Sequence, residues 1–366
     1  MPESKITFAP RNASAFVTDV KKEVNEYFKS RGISKQANGL MILKTALILS
    51  LAVGAYLLII LQAFGLWATL GLCAVLGAGL AGMGFCVAHD ALHGAYSSKP
   101  WVNKLLGYSF DFMGANGYMW KITHNVIHHT YTNIPGIDED LTVSPLIRLS
   151  PEARRYWFHR YQHWFALPAY SLATINWLFM KDFQQFLKSD IGPYTSKKHP
   201  PFEIFTLIWT KLFVISYQIV IPLLVMNVVW WQFIIGFVVM HMTAGVVLGL
   251  IFQLAHVVEG PEYLGPDEGG NMEHSWIIHE MHTTANFARQ NKILSWYVGG
   301  LNFQIEHHLF PQVCSIHYPD ISPIVKQVAH RHNVPYHDHP TLRASIASHF
   351  KMLRMLGARD PVEMAT

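Results

Sequence analysis

An all-α integral membrane protein, with four transmembrane helices arranged as two hairpins, is the fold class this sequence predicts. Three observations carry it: scarce charge, two long stretches with no charge at all, and basic residues confined to three segments. Hydrophobic residues make up 51% of the 366 and charged residues 14%, where an average soluble domain carries about 25%. No Asp, Glu, Lys or Arg occurs between Lys44 and Asp90, or between Lys211 and Glu259. Each gap has room for two spans of about 20 residues. Lipid offers backbone N–H and C=O groups no partner, which favours helices over irregular chain in such stretches. A soluble bundle with buried helices is the competing reading.

In chain order, residues 1–40 form a polar and charged N-terminal segment without the pattern of a cleaved signal peptide. The spans fall near 43–64, 66–87, 205–228 and 233–257, with turns around Gly65 and 230–232. Every Lys and Arg except Lys211 lies at or before Lys44, between residues 88 and 204, or after residue 258. By the positive-inside tendency these segments, and with them both termini, face the cytoplasm. The connecting loop is rich in Trp, Tyr and Phe, residues that settle at membrane interfaces. Within it, Ala166 to Met180 is too short for a span and reads as interfacial or re-entrant. The three cysteines form neither a disulfide framework nor a paired metal motif. A net charge of +4 suits a face lying against anionic headgroups and is too small an excess to indicate nucleic acid.

Chemistry concentrates in histidine, of which there are 21. "HDALH" places His89 and His93 at i and i+4, a spacing that stacks side chains on one helix face, at the cytosolic end of the second span. "HNVIHH" repeats that spacing with His124 and His128 and adds His129. "QIEHH" supplies Gln304, Glu306, His307 and His308, and "FQLAHVVEG" brings His256 to the depth of His89. One such pair is more often hydrogen-bonded than metal-bound. Several at one membrane depth point to metal, because neutral imidazole suits iron, zinc and copper. Eight histidines exceed one tetrahedral zinc site, so two ions in a cytosolic helical cap are the economical inference. Helix neighbours diverge by about 100°, so His307 and His308 can face different ions, as can His128 and His129. Asp90 and Glu306 are placed to accept the other ring N–H; for Glu306 a plain surface carboxylate is the equal alternative. His279 and His282 in "HEMH" lack zinc-protease spacing. His241, inside the fourth span, reads as a structural hydrogen-bonding group, and His317, His330, His332, His337 and His339 as solvated.

"HDALH", "HNVIHH" and "GGLNFQIEHHLFP" resemble, in order and separation, the three histidine boxes of the membrane fatty acid desaturases. A glutamine opening the third box resembles the front-end subgroup, which places a double bond between an existing one and the carboxyl end, at Δ6 or Δ5. The resemblance covers about residues 41–350, leaving 351–366 as a tail. It implies a non-heme di-iron site with His89, His93, His124, His128, His129, His307 and His308 as ligands. It further implies His256 as the additional histidine, and Gln304 in contact with iron directly or through water. O2 is the implied co-substrate, and the substrate a lipid- or CoA-linked acyl chain such as linoleoyl. The HPGG haem motif of fused cytochrome b5 domains is absent, so the electrons are expected from ferredoxin or a separate cytochrome b5. The bacterial and cyanobacterial members are most similar, implying a bacterial inner membrane, or an ER or thylakoid membrane in a eukaryotic or photosynthetic source. A sphingolipid desaturase or acyl hydroxylase on the same scaffold is the alternative enzyme. A non-enzymatic metal or haem protein is the alternative class.

Overall fold

The computed structural model describes residues 6–10, 14–141, 145–195 and 198–358. Four helices among them are long and apolar enough to cross a membrane: Gly39–Ile60, Leu66–Leu92, Pro201–Val225 and Trp230–Gln253. They correspond to the four predicted spans, with boundaries moved by local chemistry. The first begins at Gly39 because the Asn38 side chain accepts a hydrogen bond from Met41 N at 3.0 Å and caps it. The second continues past residue 87 to Leu92 through a π-helical turn at Gly84–Ala88. The third opens on Pro201, whose fixed φ and missing N–H suit a first helical turn. The fourth ends at Gln253, so residues 254–257, predicted as span, are turn and His256 stands beyond the helix end.

The second and fourth helices pack against each other at the centre. The first and third turn Leu43, Leu47, Leu51, Phe205, Trp209 and Leu212 outward. Apolar ridges of that size would be an aggregation hazard in water and are solvated by lipid tails.

The stretch predicted as interfacial or re-entrant becomes the short helices Gln162–Ser171 and Ala173–Asn176, a π-helical turn Trp177–Lys181, and Asp182–Leu187. It descends along the fourth helix, where a Cβ on Gly245 would lie 2.7 Å from the Ser171 carbonyl carbon; only glycine permits that approach. At the bottom Thr174 Oγ1 donates to the His241 carbonyl at 3.0 Å. His241 is twelve residues from the Gln253 end, about 18 Å at 1.5 Å per residue, beyond the middle of a ~30 Å hydrocarbon core. The segment thus runs alongside the fourth helix to the level of His241 and turns back, a path compatible with a re-entrant segment. His241 is the hydrogen-bonding group expected, with Nδ1 2.9 Å from Thr174 Oγ1 and Nε2 3.0 Å from Gln218 Oε1. On the way back, Lys211 Nζ donates to Asp182 Oδ2 at 2.6 Å and to the carbonyls of Gly114 and Trp177 at 2.6 and 2.8 Å. A buried ammonium this deep is tolerable only with such a full set of acceptors.

The histidine-bearing end is covered by helices from both ends of the chain. Ala15–Arg31 packs on Tyr318–Arg331, and Ala285–Phe287 pairs in parallel with His337–His339. Leu342–Ala358 crosses the predicted boundary at residue 350, because Leu353 and Leu356 are buried with Leu149 and Ala166. Residues 359–366 of the predicted tail, and 1–5 and 11–13 of the N-terminal segment, lie outside the described residues. His330 is exposed as expected. His317 is not solvated: it is buried under the N-terminal segment and its Nε2 donates to the Gln36 carbonyl at 3.0 Å. His332 pairs with Asp19 at 2.9 Å, and His337 and His339 are half-buried in the strand pair.

Candidate metal centre

Local backbone geometry brings the histidine motifs together. His89 follows directly on the π-helical turn Gly84–Ala88, and His93 ends the short α-helical turn after it. His124 and His128 lie on the π-helical segment Lys121–His128, not on the regular α-helix that their spacing suggests. π-helical turns are frequent at functional sites, and this segment closes with His129 N donating to the His124 carbonyl at 3.0 Å. The third motif is the short helix Gln304–Leu309, whose residues are all buried. Gly299 and Gly300 lead into it with φ of 63° and 73°.

The eight histidines meet in one buried chamber and divide into two groups. In one, donor atoms of His89, His93, His124 and His307 lie within 4.8 Å of one another; in the other, those of His128, His256 and His308 do. His129 stands between them, its ring centroid 4.5 Å from that of His307 and 4.4 Å from that of His308. The adjacent pair His307 and His308 falls one to each of these groups, and both also meet His129 in a third set within the same 4.8 Å limit. His128 and His129 are not split in the same way, because His129 straddles both. Asp140 comes within the same 4.8 Å limit of His124 and His128.

Nine ring nitrogens in this chamber are buried without a hydrogen-bond partner among the described residues. They are Nδ1 of His89, both nitrogens of His124 and His129, and Nε2 of His93, His128, His307 and His308. An orphaned buried polar atom costs about 1–3 kcal/mol, and nine gathered in one place call for a compensating partner. Lone pairs converging from several rings are compensated by a cation, so the donor set fits metal.

The electrostatics agree. Burial, reinforced by the surrounding histidines, holds His93, His124, His129, His307 and His308 well below the usual imidazole range. Burial takes His256 down to about 3. These rings are neutral and able to ligate. His128 differs: burial lowers it, but Asp138, helped by Asp140 and Glu280, outweighs burial and lifts it to about 9. Burial raises Glu280 well above the usual carboxylate range and Asp140 to about 6. A cation in the chamber reverses that tendency by favouring carboxylates.

Of the expected supporting acids, Asp90 Oδ1 stands 3.7 Å from His89 Nδ1, while its Oδ2 accepts from Ser315 N and Oγ at 3.0 and 2.8 Å. Glu306 departs from both of its readings. It is fully buried, and it accepts from Asn286 Nδ2 at 2.7 Å and Tyr336 Oη at 2.8 Å instead of from a histidine. The reason is geometric: on a short helix Glu306 points away from His307 and His308, toward the strand pair. Gln304 is buried one turn before His308, with no hydrogen bond to a histidine among the described residues.

Sequence reading missed the acids that do touch the rings. His128 Nδ1 meets Asp138 Oδ1 and Oδ2 at 3.1 and 3.0 Å, and His308 Nδ1 meets Glu280 Oε2 at 2.8 Å. The signal for Asp138 was the acidic run "DED" ten residues after His128. For Glu280 it lay within "HEMH", where the histidines drew attention: His279 Nε2 donates to the Thr132 carbonyl at 2.8 Å, and the half-exposed His282 pairs with Glu262 at 2.9 Å.

The Fatty acid desaturase family model matches residues 65–340. A sn-1 linoleoyl-lipid 6-desaturase of Arthrospira platensis is 38% identical over 96% of this chain and 95% of its own length. The protein of the same name in a Synechocystis strain is 37% identical over 92% and 94%. An acyl-lipid (8-3)-desaturase of Physcomitrium patens is 32% identical over 98% of this chain and 75% of its own.

Proposed function

This chain belongs to the fatty acid desaturase family, and from that premise we propose that it is a front-end acyl-lipid desaturase inserting a cis Δ6 double bond into linoleoyl chains. The observation that carries the reading is the chamber of converging, partnerless histidine nitrogens, in a chain whose cyanobacterial relatives bear the name of that activity. Two irons are the ions proposed, with O2 as co-substrate. A methylene group has neither an acidic proton nor a leaving group, so side-chain acids and nucleophiles cannot desaturate it. Bound iron would supply the oxygen-dependent oxidation, leaving the protein to bind, orient and exclude.

Each task falls to residues already placed. His89, His93, His124 and His307 would hold one ion, His128, His256 and His308 the other, with His129 between. Asp138 and Glu280 accept the outward N–H of His128 and His308 and so turn Nε2 inward. Burial of seven of the eight rings, with His93 at the partly exposed edge, limits the access of bulk water to the chamber. The positive-inside tendency supports a cytoplasmic side for this end of the molecule, where ferredoxin or a separate cytochrome b5 would supply electrons.

The test is expression in a host that makes no polyunsaturated lipid, feeding linoleate and locating the new double bond by mass spectrometry. The reading expects a Δ6 triene in the lipid fraction. A Δ5 product, a hydroxylated chain or an altered sphingoid base would each overturn it.

A further inference from the structure

The two histidine groups are backed unequally. In the group of His128, His256 and His308, every Nδ1 faces an oxygen: Asp138 at 3.0 and 3.1 Å, the Thr283 carbonyl at 3.3 Å, and Glu280 at 2.8 Å. An Nδ1–H directed at oxygen orients the ring and turns Nε2 toward the ion, with His128 giving up its second ring proton as the metal binds. Both carboxyl groups are anchored in turn. Asp138, 1% exposed, accepts from Asn133 N at 2.9 Å and Asp140 N at 3.0 Å. Glu280, also 1% exposed, accepts from Thr132 Oγ1 at 2.8 Å.

In the group of His89, His93, His124 and His307, the one ring hydrogen bond among the described residues joins His307 Nδ1 to the neutral Tyr318 hydroxyl at 3.3 Å. Asp90 and Asp140 stand 3.7 Å from Nδ1 of His89 and His124, beyond hydrogen-bond reach.

Building on the two-metal reading, we propose that Asp138 and Glu280 are positioning residues that make the His128–His256–His308 site the tighter of two unequal metal sites, filled first and emptied last. Its rings are oriented before an ion arrives, so binding orders little. Two buried carboxyl groups also bring compensating charge close to the cation. Losing a partner of this kind lowers metal affinity about 10–100-fold.

The test uses the full chain in detergent, loaded with Fe2+ without oxygen and titrated with a competing chelator while retained iron per chain is measured. The wild type is expected to release iron in two steps of one ion each, separated by about tenfold or more in chelator. Asp138→Asn and Glu280→Gln are each expected to shift the late step to lower chelator by about 10–100-fold and to leave the early step in place. The wild-type titration needs no variant, so it tests the inequality even if one substitution fails to fold, and either of the two variants alone assigns the late step. Release of both ions in one step, or variants that move the early step alone, would overturn the inequality and leave the two-metal reading standing. Fewer than two ions bound by the wild type would overturn both.

Discussion

Substituting Gly299 tests how the first and third histidine motifs are held in register. Gly299 has φ 63° and backs onto the π-helical turn that leads into His89. An alanine Cβ there would lie 2.8 Å from the Phe85 carbonyl carbon and 3.2 Å from the Cys86 Cα. Carbon atoms pack best at about 3.5–4.0 Å, so the two backbones must part by about 0.5–1 Å. The left-handed conformation adds about 1–2 kcal/mol for a residue with a Cβ, and the overpacking about 1–3 kcal/mol. Gly299→Ala should therefore destabilise by about 2–5 kcal/mol. It should also separate His89 from His307, whose ring centroids are now 4.5 Å apart. A displacement near 1 Å costs about 100-fold in rate. The assays are thermal unfolding of the detergent-solubilised protein and triene content in the expression host. A variant with the wild-type melting midpoint and wild-type product would refute the register argument.

Other expectations follow from the same geometry. His129→Ala and His308→Ala should abolish desaturation while membrane-fraction yield stays at the wild-type level, whereas His282→Ala, which loses a surface pairing with Glu262, should keep most activity; product analysis beside immunoblots of the membrane fraction separates the cases. Gln304→Glu should slow turnover if that side chain reaches iron or its water, and unchanged turnover would make Gln304 a packing residue. Asp111 lies outside the spans, and burial raises its carboxyl from 3.8 to about 7. The neutral form is the one that folding favours, so its contribution is fully present below the unfolded value and is lost as pH rises through the folded value. The wild-type melting midpoint should thus fall between about pH 4 and pH 7 more than that of Asp111→Asn, which still offers Asn116 and Gly117 an acceptor oxygen; parallel curves would contradict the assignment.

The spans and the histidine motifs were legible because each is written in local pattern. Charge-free runs of this length mark membrane-spanning helices whatever the tertiary fold, and HxxxH spacing marks a helix face. The re-entrant stretch was half legible: its length excluded a span, but its depth is fixed by contacts of Ser171 and Thr174 with Gly245 and His241, more than sixty positions away. Glu306 and Glu280 show the limit most clearly. Sequence adjacency favoured Glu306 as a partner for the histidines, yet the turn of a short helix points it at Asn286 and Tyr336. The carboxyl group that does reach His308 belongs to Glu280, 28 residues earlier, and is placed by a different helix. The burial of His317 was likewise invisible, because the N-terminal segment that covers it is remote in sequence.

If the histidine chamber holds two iron ions, desaturation depends on both. The most direct measurement is the iron content of purified, active full-length protein, with a haem spectrum recorded alongside. About two irons per chain and no haem are expected, as a paired-ion site requires, with activity lost on removal and restored by Fe2+. One haem per chain, or full activity in iron-free protein, would contradict the two-iron reading.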